Sequence, residues 1–153
     1  MNFAILVVCY AINMSAKIFH SRKTLIPGSS YTEVVARARK EFNTIRRITK
    51  RQPYVRSKYF RGDKIFMTVF WDHLMQKHPK ERRKRLRLYS AAVDLFRNNT
   101  IHPDQVVENK LKGYILLRFY GITRDGVEFC VQIKQELRSN RKDFMSVFER
   151  KLK

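Results

Sequence analysis

Between Thr49 and Gly62 the chain interleaves Lys50, Arg51, Arg56, Lys58 and Arg61 with Tyr54, Tyr59 and Phe60. Cations neutralise phosphates and aromatic rings offer stacking platforms, so this mixture suits unpaired nucleotides. The same rings would equally pin an ordered connector onto a core, and the residue types leave both readings open. A second cluster, Arg82, Arg83, Lys84, Arg85 and Arg87, crowds what reads as the first turns of a helix. Cations there oppose the helix dipole, which points to a ligand for them. The whole chain is basic: 33 Lys and Arg face 13 Asp and Glu in 153 residues, a net charge of +20. Such an excess repels itself in a lone compact domain and fits a polyanionic partner, most commonly nucleic acid. The bland reading is a solvated basic surface.

Other chemistry is sparse. His20, His73, His78 and His102 are too scattered for a zinc signature. Cys9 and Cys130 form no metal-type cluster and read as reduced, buried thiols of a cytoplasmic protein. No Walker loop, Rossmann glycine pattern, nucleophile elbow or paired carboxylates are visible, so neither metal nor cofactor is expected. Phe3 to Ile12 is a run of ten apolar residues, against roughly 20 for a bilayer span. It reads as a buried strand, a weak membrane-associating segment, or translated sequence upstream of Met14. Residues 1–13 are expected to be dispensable, and a membrane is not the expected partner.

The elements that must position these residues follow from periodicity. After Pro27-Gly28-Ser29-Ser30, the residues Tyr31, Val34, Val35, Ala38, Phe42 and Ile45 recur at helical spacing, predicting a basic amphipathic helix to about Ile48. Pro53 then breaks the chain. Ile65, Phe66, Val69, Phe70, His73 and Leu74 predict a helix from Asp63 to Lys77, with His73 closing its apolar stripe. A third helix is expected from Lys80 to about Asn98, on Leu86, Tyr89, Val93 and Phe96. From Gly113 the period changes to two. Ile115, Leu117 and Phe119 alternate with Tyr114, Leu116, Arg118 and Tyr120, Arg124-Asp125-Gly126 marks a hairpin, and Val127, Phe129, Val131 and Ile133 continue the pattern. A last strand covers Asp143 to Glu149, its register left open between Ser146 and Met145 with Val147. The expected fold is α+β, with N-terminal amphipathic helices on a small antiparallel meander at the C-terminal end. The expected organisation is an N-terminal extension over 1–30, a basic helix and connector over 31–62, and an α+β domain over 63–153.

The order of these elements resembles the barnase–EndoU–colicin–RelE superfamily of ribonucleases, particularly its small phage- and toxin-associated members. The resemblance runs from about Asp63 to Phe148. It is carried by Trp71-Asp72-His73 leading into Lys77-His78-Pro79, by Ile101-His102-Pro103, and by a meander ending at Phe144-Met145-Ser146-Val147-Phe148. It implies a metal-independent endoribonuclease. His73 or His78 would exchange protons, Arg118 and Lys134 would hold the scissile phosphate, and Ser146 would hydrogen-bond a phosphate oxygen. RNA contacts would come from Arg51, Tyr54, Arg56, Lys58, Tyr59, Arg82, Arg83, Arg85, Arg87 and Gln132. The chain departs from the pattern in having no second strand-borne histidine, and Glu128 is the only carboxylate candidate on that sheet face. The implied partners are RNA, including ribosome-associated RNA, and a small acidic antitoxin-like protein. The alternative from the residues themselves is an RNA binder without catalysis.

Overall fold

A computed structural model describes residues 18–150 together with the strand β1 (Val7–Val8). The readings of Phe3 to Ile12 and of residues 1–13 lie outside the described residues, except that β1 pairs antiparallel with Val106–Val107. After β2 (Phe19–His20), the helix α1 (Tyr31–Ile48) forms where the apolar spacing places it. Ser30 caps it, its hydroxyl accepting from the Glu33 amide at 3.2 Å, while the Glu33 carboxylate accepts from the Ser29 amide. Glu33 in the first turn and Arg46 and Arg47 in the last all suit the helix dipole. Val34, Ala38, Phe42 and Ile45 form the buried stripe.

The next segment departs from expectation. The connector carries a strand, β3 (Tyr54–Arg56), and the predicted helix from Asp63 begins as another, β4 (Lys64–Phe66). The two form an antiparallel hairpin, with Ile65 opposite Val55. Helical spacing holds only for α2 (Val69–Met75). Ile65 and Phe66 are strand formers that find strand partners on both sides, and this pairing outweighs a short helical pattern. The predicted third helix is also divided, into α3 (Pro79–Leu86) and α4 (Tyr89–Asn98). The break falls at Arg87, whose carbonyl accepts from the Ile26 amide and whose Nε donates back to the Ile26 carbonyl. Because α3 ends at Leu86, Arg83, Lys84 and Arg85 occupy its last turn rather than its first. The dipole therefore favours them, and they need no ligand to offset it.

The remaining strands are β5 (Gln105–Asn109), β6 (Tyr114–Ile122), β7 (Glu128–Glu136) and β8 (Lys142–Glu149). The expected meander β6–β7–β8 exists, but it is the middle of an eight-stranded mixed sheet. Its order is β1-β5-β6-β7-β8-β4-β3, with β2 parallel to the end of β6 and β4 parallel to the start of β8. The expectation of N-terminal helices on a small antiparallel sheet is thus corrected. The fold is α+β, but three of the helices lie between β4 and β5 in the chain, and strands preceding them close one edge of the sheet. Short strands such as β3 and β4 carry too little periodicity to be read locally.

The helices share one core with one face of the sheet, through Leu117, Phe119, Val131, Ile133 and Phe144. Phe70 stacks on Phe144 with centroids 4.5 Å apart, and Phe96 meets the same ring edge-on at 4.8 Å. Each fully buried ring of this kind contributes about 1.5–3 kcal/mol. A bulge at Met145 shifts the register of β8, so that Ser146 lies opposite Gln132 while Phe144 faces Ile133.

Candidate functional site

Strand alternation sends Leu117 and Phe119 into the core and Tyr114, Leu116, Arg118 and Tyr120 to the opposite face. Register then sets their neighbours. Gln105 on β5 lies opposite Arg118, Gln132 on β7 lies on its other side, and Ser146 on β8 lies beyond Gln132. One row, Gln105–Arg118–Gln132–Ser146, therefore crosses four strands. Arg118 is held along it: Nη1 donates to Gln105 Oε1 at 3.0 Å and Nε donates to Gln132 Oε1 at 3.2 Å. Among the described residues no hydrogen bond engages Arg118 Nη2. The row thus fixes a half-buried guanidinium by two neutral acceptors and leaves donor hydrogens to an incoming anion. The alternation and hairpin signals of the sequence placed Arg118 and Gln132 on this face, while the register of the last strand was open between Ser146 and Met145 with Val147 and is decided by the bulge. Gln105 was not anticipated, because it lies on β5, a strand that shows no alternation in burial, and its place is set by pairing with β6.

Cations and rings surround the row. The Lys134 ammonium lies 4.9 Å from the Tyr114 ring and the Arg150 guanidinium 4.3 Å from the Tyr120 ring. Beside Arg118, whose carbonyl accepts from the Asp104 amide, a cavity of about 60 Å³ is lined by His102, Asp104, Tyr120 and Arg150. Burial raises the Asp104 carboxyl above its ordinary range, with Arg150 opposing, and burial likewise raises the Tyr120 phenol. Asp104 therefore keeps its proton to higher pH than an exposed carboxyl does. Cys130, opposite Tyr120, is pushed by burial up to about 12, so its thiol stays protonated. Asp104 and Arg150 carry no sequence signal. They join the site through the fold alone.

The other end of the row reaches the sheet edge. β4 pairs with β8 only as far as Asp143, and beyond it α2 and α3 cover the strand. A recess of about 10 Å³ is lined there by His73, Lys77, Arg85 and Ser146 together with apolar Phe70, Leu74 and Met145. His73 and Ser146, far apart in sequence, thus share one pocket. His78 does not join them in it. It caps α3, its Nδ1 accepting from the Lys80 amide at 3.2 Å, with Pro79 at the first helical position.

The expected RNA-contacting residues divide by face. Tyr54 projects beside Phe66 on the sheet, 6.2 Å between centroids, with Lys64 4.6 Å from its ring and Arg56 5.5 Å away. Arg56 also donates to the Gly62 carbonyl. Tyr59 turns to the core side, packing on Phe60 and Phe119 and bonding His102 Nδ1 at 3.0 Å. Arg51 and Lys58 are exposed in turns. The arginines of α3 and its end serve largely as staples. Arg82 donates to the Met75 and Lys77 carbonyls, Arg83 to Gly28 and Arg87 to Ile26, while Arg85 pairs with Glu81 at 3.6 Å. Among the described residues no group of acidic, histidine or cysteine side chains is arranged to hold a metal ion. None of their helices is long and apolar enough to cross a membrane.

Compared with protein-family models, with curated proteins and with solved structures, the chain matches none.

Proposed function

We propose that this chain acts on single-stranded RNA and cleaves it without a metal ion, with the scissile phosphate on Arg118. The observation that carries the reading is the row Gln105–Arg118–Gln132–Ser146, in which an oriented guanidinium and a hydroxyl lie on one cationic, aromatic sheet face. Metal-independent cleavage requires a base to take the 2′-hydroxyl proton while the 2′-oxygen attacks phosphorus. An acid must protonate the departing 5′-oxygen, and cations must meet the charge building on the phosphorane. The products are a 2′,3′-cyclic phosphate and a 5′-hydroxyl. Arg118 supplies the cation. His73 at the Ser146 end, and Asp104 with its raised pKa beside Arg118, are the candidate proton carriers. The same chemistry is what the resemblance to the barnase–EndoU–colicin–RelE ribonucleases implied, although the element order that carried it is altered by β4, the divided third helix and the mixed sheet. It brings with it a cytoplasmic setting and a small acidic protein as the partner that neutralises the +20 charge.

A DNA oligonucleotide holding one ribonucleotide tests the chemistry. The expected result is cleavage only after the ribonucleotide, leaving a cyclic phosphate, with loss of activity in Arg118→Ala, Ser146→Ala and His73→Ala. Cleavage of an all-deoxy control would sink the proposal. A second reading, binding without cleavage, is favoured by the spread of cation–ring pairs from Tyr54 through Tyr114 to Tyr120. It predicts retention of intact RNA with a steep salt dependence.

A further inference from the structure

We propose that the cleft between the β3–β4 and β7–β8 turns is a second site, which binds the terminal phosphate of an RNA strand. The proposal rests on the RNA reading for its ligand, but it concerns a different part of the molecule. The cleft holds about 470 Å³ and is lined by Arg56, Lys64, Phe66, Asn140, Arg141 and Lys142, with Asp63 on its wall.

Its cations are oriented, unlike those of a merely solvated surface. Lys142 is only 4% exposed, and its ammonium donates to Asp63 Oδ2 at 2.9 Å and to the Asn140 carbonyl at 3.0 Å. A buried ammonium is costly unless held in this way. Arg141 is gripped by both carboxylate oxygens of buried Asp143, donates to Gln52 Oε1 at 2.7 Å, and lies 4.2 Å from the Phe66 ring. Asn140 in the β7–β8 turn, whose carbonyl holds Lys142, adopts the left-handed conformation (φ 60°) that asparagine accommodates.

The charge balance selects the ligand. Arg56, Lys64, Arg141 and Lys142 face the two carboxylates of Asp63 and Asp143, leaving an excess of two positive charges. An internal phosphodiester carries one negative charge, whereas a phosphate monoester at a strand end carries about −1.5 to −2 near neutral pH. The Tyr54–Phe66 pair at the border of the cleft offers a ring surface for the terminal base.

Fluorescence anisotropy with 2′-O-methyl octanucleotides, which cannot be cleaved by their own 2′-oxygens, tests this. Three versions are compared, bearing a 5′-phosphate, a 3′-phosphate or two hydroxyl ends. Tighter binding of one phosphorylated form by about tenfold, abolished in Lys64→Gln, is the expected result. Whichever end gives the gain identifies the terminus recognised. Lys64 is exposed, so the variant should keep the wild-type melting temperature. Equal affinity for all three oligonucleotides would overturn the cleft proposal and leave the RNA reading standing. Binding of none of them would overturn both.

Discussion

Exchanging Arg118 for lysine separates charge from orientation at the centre of the sheet face. Wild-type Arg118 spans its neighbours, 3.0 Å to Gln105 and 3.2 Å to Gln132. A lysine keeps the charge, but as a point donor it cannot reach both glutamines and still present a fixed pair of hydrogens. Each such bond from a charged donor is worth about 1.5–3 kcal/mol when fully buried. Arg118 is only half-buried and the glutamines regain water when released, so the cost to folding should stay within about 1 kcal/mol. Loss of one oriented oxyanion donor lowers turnover by about 100- to 1000-fold. Arg118→Ala should show that loss, and Arg118→Lys should lie much nearer to it than to wild type. Initial rates on a fluorogenic oligonucleotide in EDTA, beside thermal melts of each variant, supply both numbers. A lysine variant with wild-type turnover would refute the oriented-donor argument. So would a loss of rate that simply tracks a loss of folding.

Two further predictions concern the surroundings of the row. Burial raises the Asp104 pKa, so the folded protein holds a proton at pH values where the unfolded chain has released it. Stability therefore falls as pH rises from the unfolded pKa through the folded one, and the deficit persists at pH 7. Asp104→Asn should melt above wild type at pH 7, and that advantage should vanish once pH drops below the ordinary carboxylate range. Phe144→Ala should cost about 3–5 kcal/mol in chemical denaturation, because its ring is fully buried against Phe70 and Phe96.

Local pattern made much of this arrangement legible in the sequence. The stripe Val34, Ala38, Phe42, Ile45 places α1, because a helix long enough to show several turns repeats its signal. Alternation along β6 and β7, joined at the Arg124–Asp125–Gly126 turn, puts Arg118, Gln132 and Lys134 on one face without knowledge of the core. What escaped was set by distant pairing. β3 and β4 are each three residues long and take their identity from one another and from β8. Asp104, Arg150, Lys64, Arg141 and Lys142 become neighbours of their sites only when the sheet closes. The arginines of α3 were misread because the end of the helix at Leu86 depends on a backbone contact with Ile26.

The most direct test of the central claim is incubation of the protein with labelled total RNA in EDTA, beside a folded Arg118→Ala/Lys134→Ala variant. Cleavage by the wild type and none by the variant is the predicted result. An intact RNA pool with the wild-type protein, or equal cleavage by both, would contradict it.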